Sequence, residues 1–249
     1  MEAATTTQQP AEEQSVSSFA KSLFLGEIHE ELVFPFAMPS GEEQERVREL
    51  TASLRDYADE AYDPRRFEED AWIPDRVIAG LGERGLMGLY VPEEYGGQGL
   101  SQTGYCRVSE VFGQIDGTLA VVMGVHQSIG MKGILLFGSD EQKQRFLPDL
   151  ATGRKMAAFA LTEPEAGSDV HGLRSRAVKQ PDRSWLLNGE KRHIGNGSRA
   201  DVLEGRRRLL ARRALRDGHA RRPDLPDLRG RQRRHARVHR AVRDEAAWR

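Results

Sequence analysis

The segment Leu161-Thr-Glu-Pro-Glu-Ala-Gly-Ser-Asp169 gathers two hydroxyls and three carboxylates around the small pair Ala166-Gly167. Hydroxyls and free amides in such a turn can bond the carbonyls and ring nitrogens of a flat heteroaromatic ligand, and small residues let the backbone approach it. On spacing alone, an acidic surface loop held by Asx and serine turns is the simpler account. Gly80-Leu-Gly-Glu-Arg-Gly85 matches the G-x-G-x-x-G dinucleotide fingerprint, but that fingerprint needs a strand before it and a helix after it. These glycines fall where a helix should end, with Gly85 in the left-handed cap conformation, so the match is a decoy. Val91-Pro-Glu-Glu-Tyr-Gly-Gly-Gln-Gly-Leu100 lacks the G-K-[ST] ending of a phosphate loop and reads as a tight turn. His126 invites an acid–base role. With no partner acid evident, a half-buried helix histidine supporting a pocket is the plainer reading. No metal site is expected.

The elements that position the 161–169 loop change character along the chain. Ser40-Gly-Glu-Glu43 fits a capping box, and Val47, Leu50, Leu54, Tyr57, Ala58 and Ala61 then recur on one helical face. Asp63-Pro64 ends that helix. Further helices are predicted around 72–83, 101–112 and 118–137, and a short one opens at the capping-box-like Ser139-Asp-Glu-Gln142 and stops near Pro148. After residue 155 come short apolar runs, Met156 to Leu161 and Ser184 to Leu187, bounded by turn residues as strands are. Leu173 to Ala177 is a weaker strand. The expected fold class is α+β: an all-α helical domain over 42–155, then the start of a β-barrel-like middle domain over 156–203. A polar arm, 1–41, precedes them and an Arg-rich tail, 204–249, follows.

Length and charge bound the alternatives. A chain of 249 residues can bury a substantial core. Its mean hydropathy of -0.61 and a longest charge-free stretch of 15 residues, Gly117 to Met131, argue against a membrane span, which needs roughly 20. One cysteine, Cys106, excludes an internal disulfide framework. With a polar, acidic start and no apolar leader core, the expected location is cytoplasmic. Overall, 37 basic residues nearly cancel 38 acidic ones. Residues 204–249 nonetheless hold 16 Arg against 6 acidic residues, a net of +10, leaving −11 on the first 203.

Taken jointly, the motifs resemble those of the acyl-CoA dehydrogenase family. Leu161 to Asp169 is similar to its flavin- and substrate-binding signature, and Pro92 to Gly99 to its P-E-E-Y-G-G-x-G segment. Gly124-Val-His-Gln-Ser-Ile-Gly130, Phe137-Gly-Ser-Asp-Glu-Gln-Lys143 and Phe146-Leu-Pro-Asp-Leu-Ala-Thr-Gly153 resemble its helical domain, in the same order. Ser18 to Phe24 and Leu32 to Phe36 point to the very-long-chain branch. The resemblance implies FAD-dependent oxidation of an acyl-CoA between Cα and Cβ to a trans-2-enoyl-CoA, in fatty-acid β-oxidation. It also implies an electron-transferring flavoprotein as acceptor, and a homo-oligomer for the full-length family. Carried over by motif, Phe159, Leu161 and Thr162 lie along the isoalloxazine, with the Thr162 hydroxyl on its pyrimidine ring. Ser168 serves both FAD and the pantetheine side of the substrate. The second flavin strand, Trp-Ile-Thr/Ser in the family, is His193-Ile194-Gly195 here, so His193 can stack less extensively and Gly195 offers only backbone. Glu163 and Glu165 are candidate bases by type. The family's base instead comes from a C-terminal helical domain, which is absent from this chain together with the R-x-Q-F-G segment, so no catalytic residue is assigned.

The resemblance fades after Leu203. A tail lacking Lys, Ser, Thr, Asn, Ile and Phe cannot build a β core, and its narrow alphabet is what a shifted frame in a GC-rich gene would encode. The expectation is an N-terminal fragment with an unrelated tail, disordered or frameshifted, and impaired in activity. The alternatives are a non-catalytic binding or assembly remnant and a basic-tailed nucleic-acid binder; the composition disfavours nucleic acid.

Overall fold

The computed structural model describes residues 18–181, 185–205, 208–212 and 235–242, with only the backbone for Trp185 and for residues beyond 203. The arm 1–17 and most of the stretch 204–249 lie outside the described residues. The chain divides after Met38 into two units. The first contains helix α1, Phe19–Phe24, and a 3₁₀ turn, Glu30–Leu32.

The second unit opens with α2, Gly41–Ala61, capped by the Ser40 hydroxyl, which accepts the Glu43 N–H. Only half of the expected capping box forms. The Glu43 carboxylate reaches across to the Ser101 N–H at 2.7 Å, at the start of α5, Gln102–Ile115, so it staples two helices instead of closing its own turn. Asp63 caps α3, Pro64–Glu69, with Pro64 in its first turn. Helix α4, Asp75–Glu83, begins after Pro74, and Gly85 follows at φ +71°. Gly80 and Gly82 lie within α4, where a Cβ would come 2.0 Å from the Tyr57 hydroxyl and 2.3 Å from the Thr152 carbonyl. Close helix packing explains those glycines.

Helix α6, Gly117–Gly124, a π-helical turn, Val125–Ile129, and α7, Lys132–Phe137, form one run. Counted across Lys132, the run reaches 21 residues, with a mean hydropathy of 1.4 over an 18-residue window, long and apolar enough by length and composition to cross a membrane. The charge-free count of 15 stands, but one lysine does not by itself exclude a span. Leu119, Met123, His126, Gln127, Met131 and Ile134 form the run's buried face, two of them polar, while Val121, Ile129, Leu136 and Phe137 are exposed. Helix α8, Asp140–Ala151, carries the full Ser139–Gln142 capping box and continues one turn through Pro148.

Beyond α8 the chain turns to strands: β1, Ala157–Phe159; β2, Arg176–Lys179; β3, Trp185–Arg192; β4, Val202–Gly205; β5, Arg208–Arg212; and β6, His235–Val242. Among the described residues they make two three-stranded sheets, β1-β4-β5, with β1 parallel to β4, and β2-β3-β6, antiparallel. The backbone at 208–212 and 235–242 is therefore extended and paired, within the stretch the sequence reading set aside as a tail. Strand alternation places Ala157 against Met131, Leu147 and Leu150 of the helical layer, and Ala158 against Ile194, Ala200 and Leu203. β1 is the seam between helices and sheet.

Candidate functional site

His126 holds that seam. It is fully buried, not half-buried. Its Nδ1 accepts the Ala157 N–H at 3.0 Å, so Nε2 carries the proton and donates to the Leu150 carbonyl at 3.0 Å. Burial lowers its pKa to about 4, and the ring is neutral at ordinary pH. A histidine committed at both nitrogens cannot relay protons; it fixes where β1 starts, and hence where Phe159, Leu161 and Thr162 stand.

The loop after β1 is held by Glu163. The chain reverses through a bridge in which the Glu163 and Ala166 N–H groups donate to each other's carbonyls, at 3.0 and 3.3 Å, so Thr162 and Ser168 flank one turn. The buried Glu163 carboxylate accepts from Lys191 Nζ at 2.8 Å, from the Arg174 N–H at 2.6 Å and from the Ser175 N–H at 3.1 Å. Burial by itself would raise its pKa; the Lys191 ammonium, the Ser175 hydroxyl and these amides outweigh it and bring it down to about 2. A carboxylate so satisfied is a clasp and a poor base. Glu165 is exposed and paired with Arg174. Lys191 also donates to the Leu161 carbonyl at 2.9 Å, tying β3 to the loop.

The two candidate segments meet here. The Arg192 N–H donates to the Thr162 carbonyl at 2.9 Å, so His193-Ile194-Gly195 continues directly beside Phe159-Ala-Leu-Thr162. Phe159, Leu161 and Thr162 are half-buried, and Ser168 and His193 are exposed. Ile194 is buried among Ala158, Ala160 and Leu203, and its carbonyl accepts the Gly197 N–H at 3.0 Å. His193 and Asn196 have φ of +55° and +59°, a region non-glycine residues seldom adopt and one that clusters at functional sites. Buried Asn196 is anchored by donating to the Val122 carbonyl at 2.9 Å. The half-buried Phe159 ring and Thr162 hydroxyl, with exposed Gly167 where a Cβ would meet nothing within 4 Å, are the kinds of group a flat heteroaromatic ligand draws on.

Lys191 and Asn196 were missed in the sequence because each acts on a partner far along the chain. So was a separate cleft of about 300 Å³ lined by Tyr62, Phe67, Trp72, Asp116, Asn196 and Arg199, among others. There the Arg199 guanidinium lies 4.0 Å above the Trp72 ring and donates to the Ile73 carbonyl at 2.7 Å. Among the described residues no group of His, Cys, Asp and Glu is arranged to hold a metal.

Residues 42–154 match the profile described as acyl-CoA dehydrogenase, N-terminal domain, and residues 158–221 match acyl-CoA dehydrogenase, middle domain. The very long-chain specific acyl-CoA dehydrogenase, mitochondrial, of Mus musculus is 42% identical over 202 residues, covering 80% of this chain and 31% of the relative. The probable acyl-CoA dehydrogenase FadE10 of Mycobacterium tuberculosis is 40% identical over 204 residues, covering 81% and 30%. The chain thus spans about three tenths of the length of these relatives, which include mitochondrial and bacterial proteins. Among solved structures, an acyl-CoA dehydrogenase complexed with FAD from Bacillus anthracis aligns with a TM-score of 0.62 at 37% identity, covering 71% of this chain and 30% of that one. A glutaryl-CoA dehydrogenase from Mycobacterium smegmatis in complex with FADH2 aligns with a TM-score of 0.67 at 26% identity, covering 87% and 57%. The helical layer matches the first domain profile and the strands from β1 to β5 fall largely within the second, both of one family: the chain belongs to the acyl-CoA dehydrogenase family.

Proposed function

We propose that this chain supplies the flavin-side wall of an FAD-dependent acyl-CoA dehydrogenase acting on long acyl chains, oxidising the thioester between Cα and Cβ. The supporting observation is the Arg192–Thr162 backbone bond, which, with the Glu163–Lys191 clasp, puts the two candidate ring-contacting segments side by side. FAD, when bound, supplies the hydride acceptor. The residues present do the rest of the work on this wall. Phe159 and Leu161 offer apolar surface, the Thr162 hydroxyl and the Gly195 backbone offer hydrogen bonds, and Ser168 reaches toward both FAD and the pantetheine arm. Glu163 keeps the turn closed and takes no proton. The α-proton base then comes from outside the described residues.

The same reading has acyl-CoA as substrate, an electron-transferring flavoprotein as the acceptor and a homo-oligomer as the assembly. The cytoplasmic placement is also a proposal; its support is the free, exposed Cys106, which suits a reducing compartment. Titrating the chain with FAD and following quenching of flavin fluorescence tests the site. Loss of the Thr162 hydroxyl in Thr162→Val should weaken binding roughly tenfold, the worth of one hydrogen bond, while Thr51→Val on α2 leaves it unchanged. Equal affinities for the wild type and Thr162→Val would refute the assignment.

A further inference from the structure

Gly195 sits between two left-handed residues, yet its own φ is not positive, so the path of the chain does not require a glycine there. Its surroundings do. A Cβ at 195 would stand 3.1 Å from Val125 Cγ2 and 3.5 Å from Cγ1. At neighbouring Gly124 and at Gly167 a Cβ would meet nothing within 4 Å. Val125 opens the π-helical turn, and such turns recur at functional sites.

The backbone on both sides of this contact is anchored, so Val125 itself must give by a few tenths of an ångström to admit a Cβ at 195. The next residue, His126, is fastened to the Leu150 carbonyl and the Ala157 N–H. The segment carrying Gly195 is fastened through Asn196 to the Val122 carbonyl, one turn before Val125. A β-branched side chain in a helix is also confined almost to one rotamer. The contact is a fixed size match.

We propose that Val125 is the specificity-determining residue for position 195: it occupies the space a side chain there would need, so that this edge of the site meets its ligand with backbone N–H and C=O alone. The inference rests on the flavin-side reading and sharpens it. A ring nitrogen at this edge is met by an amide whose place is set by the fold, with no rotatable hydroxyl competing for it, and Val125 contributes apolar surface alongside. A serine at 195 becomes admissible only when 125 is made smaller.

The test is a double-mutant cycle on the full chain: wild type, Gly195→Ser, Val125→Ala and the double variant, each assayed for Tm and for FAD affinity by fluorescence titration. Gly195→Ser should lower Tm by roughly 3–8 °C through overpacking and weaken FAD binding about tenfold. Val125→Ala alone should also lower Tm, by opening a small void. In the double variant at least half of the serine effect on both readouts should disappear, the non-additivity expected of touching residues. An additive Tm cycle, or a Gly195→Ser chain as stable as wild type, overturns the pairing even if FAD binds normally. Absence of saturable FAD binding by the wild type overturns the flavin-side reading and the ligand half of this proposal, while the Tm cycle still decides the pairing.

Discussion

Replacing Lys191 by methionine keeps the length of the side chain and removes its charge. The ammonium now meets Glu163 at 2.8 Å and the Leu161 carbonyl at 2.9 Å, with both ionic side chains under a tenth exposed. The variant leaves a buried carboxylate with only its two backbone amides and the Ser175 hydroxyl, and a carbonyl with one partner fewer. Removing one member of a buried pair costs about 3–5 kcal/mol. Burial opposes it, yet Lys191, the Ser175 hydroxyl and the two amides together hold Glu163 at about 2 against an ordinary 4.5, which stabilises the folded state. Because the folded pKa is depressed, this stabilisation is complete above pH 4.5 and drains away as pH falls toward 2. Urea unfolding followed by circular dichroism at pH 7 should therefore show Lys191→Met less stable by about 3–5 kcal/mol, or roughly 10 °C in Tm. The stability lost by wild type between pH 4.5 and 2 should shrink in the variant. Lys191→Met combined with Glu163→Gln should lose less than the sum of the two single changes. A Lys191→Met chain within about 1 kcal/mol of wild type would refute the clasp, since that is the range of a solvated surface pair.

His126, neutral with a pKa lowered to about 4 from 6.5, contributes stability fully present above pH 6.5 and lost as pH falls toward 4. That window should carry about 3 kcal/mol, and His126→Leu should flatten it while costing about 2–5 kcal/mol at pH 7 by stranding the Ala157 N–H and the Leu150 carbonyl; an unchanged pH profile contradicts this. Gly80→Ala should destabilise by about 1–2 kcal/mol in chemical unfolding despite alanine's better helix propensity, because its methyl collides with Tyr57; a net gain would show that the contact is soft. Ser139→Ala should cost about 1 kcal/mol by opening the capping box of α8.

What the sequence made legible was local. The capping box at Ser139–Gln142 closes as its S-x-x-Q pattern predicts, and Gly85 takes the left-handed conformation expected of a helix stop. Gly80 and Gly82 lie inside a helix, and the structure supplies a packing reason for them in Tyr57 and Thr152. What stayed hidden depends on partners distant in sequence. Glu43 satisfies the amide of Ser101, 58 residues away, in place of its own Ser40 N–H. Lys191 meets Glu163 across 28 residues, and Asn196 meets Val122 across 74. His126 read as half-buried because a lone imidazole on an apolar helix gives no sign of the two backbone groups that come to it from α8 and β1. The candidate flavin segments were found by motif, but that they are neighbours follows from the Arg192–Thr162 bond, which no spacing rule contains.

Amide hydrogen exchange of the chain with and without FAD tests the central claim most directly. The account predicts that FAD slows exchange together in the two segments 159–162 and 192–195, with the 80–85 glycines unaffected. Slowing confined to one of the two segments, or centred on those glycines, would contradict it.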